Sequence, residues 1–177
     1  MPTIFTHAVV PLAIGLACGT RRVPPKLVAA GMIAAMLPDA DVVAFKLGIA
    51  YADDFGHRGA THSFFFAAVL GAMGALMHRF FGVRPRVAAA WLFACAASHP
   101  LLDALTNGGL GVALWWPWSD ARVFAPWRPI AVSPIGGGFF SARGVAVMAS
   151  ELAWVWLPCA LVAAAGLALR REVSSRP

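Results

Sequence analysis

From His62 to Phe81 the chain runs twenty residues with nothing charged before His78 and Arg79. A helix needs about 20 apolar residues to cross a hydrocarbon core ~30 Å thick, so this stretch points to lipid as the solvent. Four further apolar segments join it: Ile4 to Gly19, Lys26 to Leu37, Val87 to Leu105 and Gly144 to Leu169. The last two are long enough to span. The first two are marginal and need tilt or shielding by neighbours. Val42 to Ala50 is too short and belongs at the interface. Only 12% of residues are charged and 60% are hydrophobic, against about 25% charged in soluble domains. The expected fold is all-α, a polytopic membrane bundle of about five helices forming one integral membrane domain over residues 1–177.

The formal charge of +6 does not point to nucleic acid, because Lys and Arg lie in short groups between apolar runs and form no basic stripe. They orient the chain instead. Arg21, Arg22 and Lys26 follow the first segment; Arg79, Arg84 and Arg86 follow the third; Arg170, Arg171 and Arg176 follow the fifth. With five spans these groups share one side, which the positive-inside rule makes cytoplasmic. The N-terminus is then outside and the C-terminus inside. Cys18, Cys95 and Cys159 each sit in an apolar run, too far apart for a paired thiol site, and read as small hydrophobes.

Ionisable groups in or beside lipid are costly and mark function by default. This orientation puts His7, Asp39, Asp41, His57, His62, His99, Asp103 and Glu151 on the outer side, and only His78 at the cytoplasmic end. His99 and Asp103 are four apart and share a helix face; Pro100 disturbs that turn. Histidine with carboxylate is a ligand mixture that suits zinc or manganese, and such an ion lowers the pKa of a bound water to about 7. The expected metal ligands are His7, Asp39, His57, His62, His99 and Asp103. Asp41 and Glu151 are the candidates for general base or further ligand, although Asp39 and Asp41 also suit a helix start after Pro38. Arg58 and Arg122 are the candidate anion contacts for substrate, and Thr61 is placed to cap the helix beginning near His62.

Residues 106–143 form an outer segment rich in Trp, Gly and Pro. Trp115, Trp116, Trp118 and Trp127 suit an interfacial aromatic belt, and Ser119-Asp120-Ala121-Arg122 can reach over the pocket. Neither HExxH nor GxSxG occurs, which removes the usual support for zinc-protease and serine-hydrolase readings.

At several of these residues the chain resembles the YdjM-type family of small bacterial inner-membrane proteins, labelled membrane-bound metal-dependent hydrolases. The matching pieces are Thr6-His7, Pro38-Asp39-Ala40-Asp41, Gly56-His57-Arg58-Gly59-Ala60-Thr61-His62-Ser63 and Ser98-His99-Pro100-Leu101-Leu102-Asp103-Ala104-Leu105-Thr106. Trp116-Pro117-Trp118-Ser119-Asp120 also fits, with Trp118 at a position where Phe is expected. The resemblance implies a multi-pass protein of the bacterial inner membrane with metal-dependent hydrolase activity. A more distant likeness is to zinc-dependent phospholipase C and the P1-type nucleases, in which an early His, an Asp, a further His, a His-x-x-x-Asp pair and a late carboxylate follow in this order. No His follows His99 here, so the resemblance implies one or two zinc ions rather than three.

The resulting expectation is a metal-dependent hydrolase of a lipid-like phosphoester, its site facing the periplasm, with membrane lipid as the partner and no nucleic acid. Two alternatives come from other classes: a divalent-metal transporter or channel, and a non-catalytic membrane scaffold whose polar residues tie helices together.

Overall fold

The computed structural model describes residues 1–134 and 136–174; Arg176, one of the orienting arginines, lies outside them. The described residues are helical and contain no strand, only isolated bridges at Thr106–Ile130 and Val112–Val123. The helices are α1 (Ile4–Cys18), α2 (Pro25–Met36), α3 (Val43–Lys46), α4 (Phe64–Leu76), α5 (His78–Phe81), α6 (Pro85–Ala104), α7 (Ala142–Glu151) and α8 (Leu157–Ser174). A 3₁₀ turn, Leu37–Val42, joins α2 to α3. A π-helical turn, Leu152–Trp156, joins α7 to α8.

Among the described residues, three continuous helical stretches are long and apolar enough to cross a membrane: Pro25–Lys46, Pro85–Ala104 and Ala142–Glu172. The other two apolar helices, α1 and α4, have 15 and 13 residues. At 1.5 Å per residue they reach only ~20 Å, short of the full hydrocarbon thickness. The twenty-residue segment that suggested an unbroken span therefore divides. Its helix starts at Phe64, stops at Leu76, and resumes for four residues as α5.

Small residues hold the bundle together. α4 lies against α6 so closely that a Cβ on Gly74 would stand 2.8 Å from the Ala88 carbonyl. Without a hydrophobic force between helices in lipid, such close backbone approach supplies the dispersion contacts. Around it Leu27, Ala34, Ala67, Leu70, Ala88 and Leu92 form a buried core. Large apolar side chains point outward instead, among them Val69 and Leu76 on α4 and Leu157 and Leu161 on α8. Their exposure costs little in lipid. Because successive helices run in opposite directions, the start of α1, the end of α2, the start of α4 and the end of α6 gather at one end of the bundle.

Candidate metal centre

Four side chains from three parts of that end meet in a single buried group. Asp39 comes from the 3₁₀ turn after α2, His62 from the short turn before α4, and His99 and Asp103 from the last turns of α6. One ligand atom from each lies within 4.8 Å of every other. His62 Nε2 is 3.7 Å from Asp39 Oδ1 and 3.5 Å from Asp103 Oδ2, and His99 Nε2 is 3.4 Å from Asp39 Oδ1. All four side chains are essentially inaccessible to solvent.

Hydrogen bonding on the far side of each imidazole decides which nitrogen faces the group. His99 Nδ1 donates to the Ala35 carbonyl at 2.7 Å. A carbonyl can only accept, so the Nε2 of a neutral His99 presents a lone pair. His62 Nδ1 faces Asp41 Oδ2 at 3.1 Å, which directs its Nε2 inward in the same way. The two Nε2 atoms are 3.0 Å apart. A proton or a cation must lie between them. Burial alone would lower the pKa of His62, but the carboxylates of Asp103, Asp39 and Asp41 facing its ring outweigh that and raise it to about 10. The pocket is thus electrostatically prepared for positive charge.

The donor set also fits a metal. Both oxygens of Asp39 and both of Asp103 are buried without a hydrogen-bond partner, an arrangement that costs about 1–3 kcal/mol per group when nothing else satisfies it. Two imidazole nitrogens and two carboxylates are a four-ligand set that zinc accepts.

The remaining expected residues take distinct places. His7, on α1, stacks on the His99 ring at 3.7 Å between centroids. Its Nε2 is 3.6 Å from Asp103 Oδ1 and 3.9 Å from Asp39 Oδ2, so it stands beside the four. His57 belongs to a second group with Asp41 and His62, its Nδ1 2.6 Å from Asp41 Oδ1. Asp41 is well satisfied: besides the two histidines, Oδ2 accepts from Thr61 Oγ1 at 2.8 Å and from the Arg58 amide at 3.2 Å. It therefore links His57 to His62 and holds the latter's ring. Such carboxylate–histidine pairs orient metal ligands and raise their basicity.

Thr61 does not cap α4. Its hydroxyl is drawn to Asp41, and Ser63 takes the cap instead, its Oγ accepting from Phe66 N at 3.0 Å. The helix starts two residues later than the apolar pattern suggests because the HRGATH run is needed for polar contacts.

Arg58 is fully buried, and its guanidinium meets protein rather than open space. Nε lies 3.1 Å from Asp103 Oδ2, Nη1 donates to the Gly108 carbonyl at 2.9 Å, and Nη2 to Thr106 Oγ1 at 3.0 Å. Its backbone has φ 66°, a left-handed conformation that is strained for a side chain of this size. The next residue explains the GHRG pattern: a Cβ on Gly59 would fall 2.1 Å from the Asp54 carbonyl. Arg122 braces a loop, donating to the carbonyls of His57, Tyr51 and Asp53 at 2.8–3.2 Å.

Glu151 is buried at the end of α7, where it accepts from Thr3 N and Thr3 Oγ1 at 2.6 Å and from Thr6 Oγ1 at 2.5 Å. The π turn that follows brings Trp156 Nε1 to Thr6 Oγ1 at 2.7 Å. Glu151 thereby fastens α7 to the start of α1, the helix that carries His7. Thr3, Thr6 and Thr106 are site residues that ligand chemistry alone does not single out. The available signal is adjacency, since Thr6 precedes His7 and Thr106 follows Asp103 within one helical turn.

Comparison with known proteins agrees with the membrane setting. The chain matches the family described as YdjM inner membrane protein over residues 1–173. It is 50% identical over 161 residues to the inner membrane protein YbcI of Escherichia coli (strain K12), a match covering 89% of this chain and 92% of that relative. No solved structure matches it.

Proposed function

The chain belongs to the YdjM inner membrane protein family, and on that premise we propose that it is a membrane-embedded metal-dependent hydrolase. The observation that carries the reading is the pair of buried carboxylates, Asp39 and Asp103, whose oxygens make no protein hydrogen bond and of which only Asp103 is paired with a permanent cation, Arg58, set against the facing Nε2 atoms of His62 and His99. Four ligand atoms within 4.8 Å suit a single ion, and the mixed nitrogen and oxygen set favours zinc. When bound, the ion supplies Lewis-acid charge and lowers the pKa of a water.

The chain's own residues would do the rest. His62 and His99 are held in one tautomer by Asp41 and by the Ala35 carbonyl. Arg58 offsets the charge of Asp103 and fixes its position. Asp39 Oδ1 faces the two histidines and would hold the ion, leaving Oδ2, free of protein hydrogen bonds, to take the proton of an attacking water. The water oxygen bonds to phosphorus, the ester P–O bond breaks, and the leaving alcohol oxygen receives the proton from Asp39. Asp41 and Glu151 act as positioning residues in this scheme, through His62 and through α1.

A lipid-like phosphoester is the favoured substrate, supported by the order of ligand-type residues that resembles zinc-dependent phospholipase C. The periplasmic placement rests on the Lys and Arg groups after the first, third and fifth apolar segments. A transporter would need ionisable groups along a path through the bundle, whereas the buried charged residues described here gather around this one end. The test is purified protein in detergent, assayed for metal by elemental analysis and for product release from mixed phospholipid vesicles and bis(p-nitrophenyl) phosphate. Chelator-sensitive release is expected. Stoichiometric metal with no product from either would sink the hydrolase reading.

A further inference from the structure

Asp39 brings the buried group to the wall of a surface groove, and that groove is largely apolar. A cavity of about 450 Å³ lies between the start of α1, Val42 and the segment running into α7. Phe5, Val42, Pro134, Phe139, Met148 and Trp156 line it, and Asp39 is the one member of the four-residue group that reaches its wall. The larger cavity, about 900 Å³ between α1 and α6, contains none of the four.

Met1, Thr3, Ser133, Trp156 and Asp39 bring polar atoms to the smaller groove, and those of Thr3 and Trp156 are engaged elsewhere. Thr3 gives its amide and hydroxyl to Glu151, and the Trp156 indole N–H goes to Thr6. Away from Asp39, the side chains of Phe5, Val42, Pro134, Phe139 and Met148 offer dispersion contacts and no hydrogen bonds, so this stretch suits a hydrocarbon chain and not a sugar or a nucleobase. Phe5 on its lining is 70% exposed, and a second cavity that shares Phe139 and Met148 with it carries Phe140 at 90% exposure and Val145 at 72%. A rim of this kind is stable facing lipid and costly facing water.

We propose that this groove is the acyl-chain subsite of the metal centre, entered sideways from the bilayer, with the ester group brought to Asp39. The inference rests on the hydrolase reading for its chemistry but not for its binding. Glu151 then has a defined task, that of satisfying the polar atoms that would otherwise wet the groove.

The experiment uses the full chain, zinc-loaded in nanodiscs, with a phosphatidylglycerol carrying a diazirine in its acyl chain. Light-induced adducts are expected on peptides containing Phe139 and Met148. Met148→Trp should cut their yield about tenfold, the scale on which apolar pockets discriminate size, while zinc content stays the same. The same substitution should lower kcat/KM for vesicle phospholipid relative to bis(p-nitrophenyl) phosphate by a similar factor. If Met148→Trp does not fold, Val42→Phe fills the groove from the opposite wall. Adducts confined to the outer helix faces, or equal effects on both substrates, would overturn the subsite and leave the hydrolase standing. Adducts in the groove with hydrolysis of neither substrate would keep the subsite and remove the hydrolase reading.

Discussion

The Nε2 atoms of His62 and His99 face one another at 3.0 Å, while both Nδ1 atoms are engaged elsewhere, with Asp41 and with the Ala35 carbonyl. Two lone pairs cannot face each other at that distance, so a proton or a cation must lie between them. Elemental analysis of protein purified without chelator is expected to find about one divalent ion per chain, as a single four-donor site allows. His99→Ala and Asp103→Asn should each weaken retention by at least about 100-fold, beyond the range typical of supporting residues. Unchanged metal content in both would show that these four residues are not the site.

Asp41 touches ligands rather than the four-donor group itself. Asp41→Asn should weaken metal affinity by roughly 10- to 100-fold without abolishing it, the usual effect of losing a carboxylate that orients a histidine ligand. Competition titration against a fluorescent zinc chelator reads this directly. A loss as complete as that of Asp103→Asn would make Asp41 a ligand.

The pH response follows from His62. Its pKa rises from 6.5 to about 10 in the folded metal-free chain. A raised pKa of this kind stabilises the fold fully below 6.5 and ceases to do so as pH climbs through 10. A metal must displace that proton, so binding strengthens over the same interval. Thermal melts should therefore show chelated protein losing stability between pH 6.5 and 10, with the gain in Tm on adding zinc growing across that window.

Arg58 and Asp103 form a buried ion pair with Nε to Oδ2 at 3.1 Å. Arg58→Met removes the cation and leaves the carboxylate, a change that costs about 3–5 kcal/mol in buried pairs. The loss should be largest in chelated protein and smaller with metal bound, because the ion compensates the same carboxylate. Equal destabilisation in both states would place the effect in packing alone.

Glu151→Gln separates anchoring from ligation. Three donors converge on this carboxylate, and the amide can accept at one oxygen only. A stability loss of about 1–3 kcal/mol is expected with metal content unchanged. Loss of metal from this variant would draw Glu151 into the centre.

Much of the architecture is legible in order and composition. Apolar runs locate α1, α2, α6 and the α7–α8 stretch to within about five residues, because burial in lipid demands continuous hydrophobicity and charged turns end it. The exception is informative: α4 begins at Phe64 rather than His62, since Thr61 and Ser63 are claimed by Asp41 and by the cap. That competition is three-dimensional and leaves no mark in hydropathy.

Hydropathy and residue order are enough to establish the class of solvent, most of the helical segments and the kinds of ligand available. Tertiary structure decided which ligands share a centre. Asp39 and Asp41 are two residues apart in a 3₁₀ turn, where side chains separated by two positions point in different directions, so one enters the group and the other supports it from behind. His62 meets His99 across 37 residues, and Thr3 meets Glu151 across 148. Such contacts depend on how helices pack and on which face of a turn is buried, and no local pattern encodes them. The same packing turned Arg58 inward to Asp103 and left the approach to Asp39 lined with carbon.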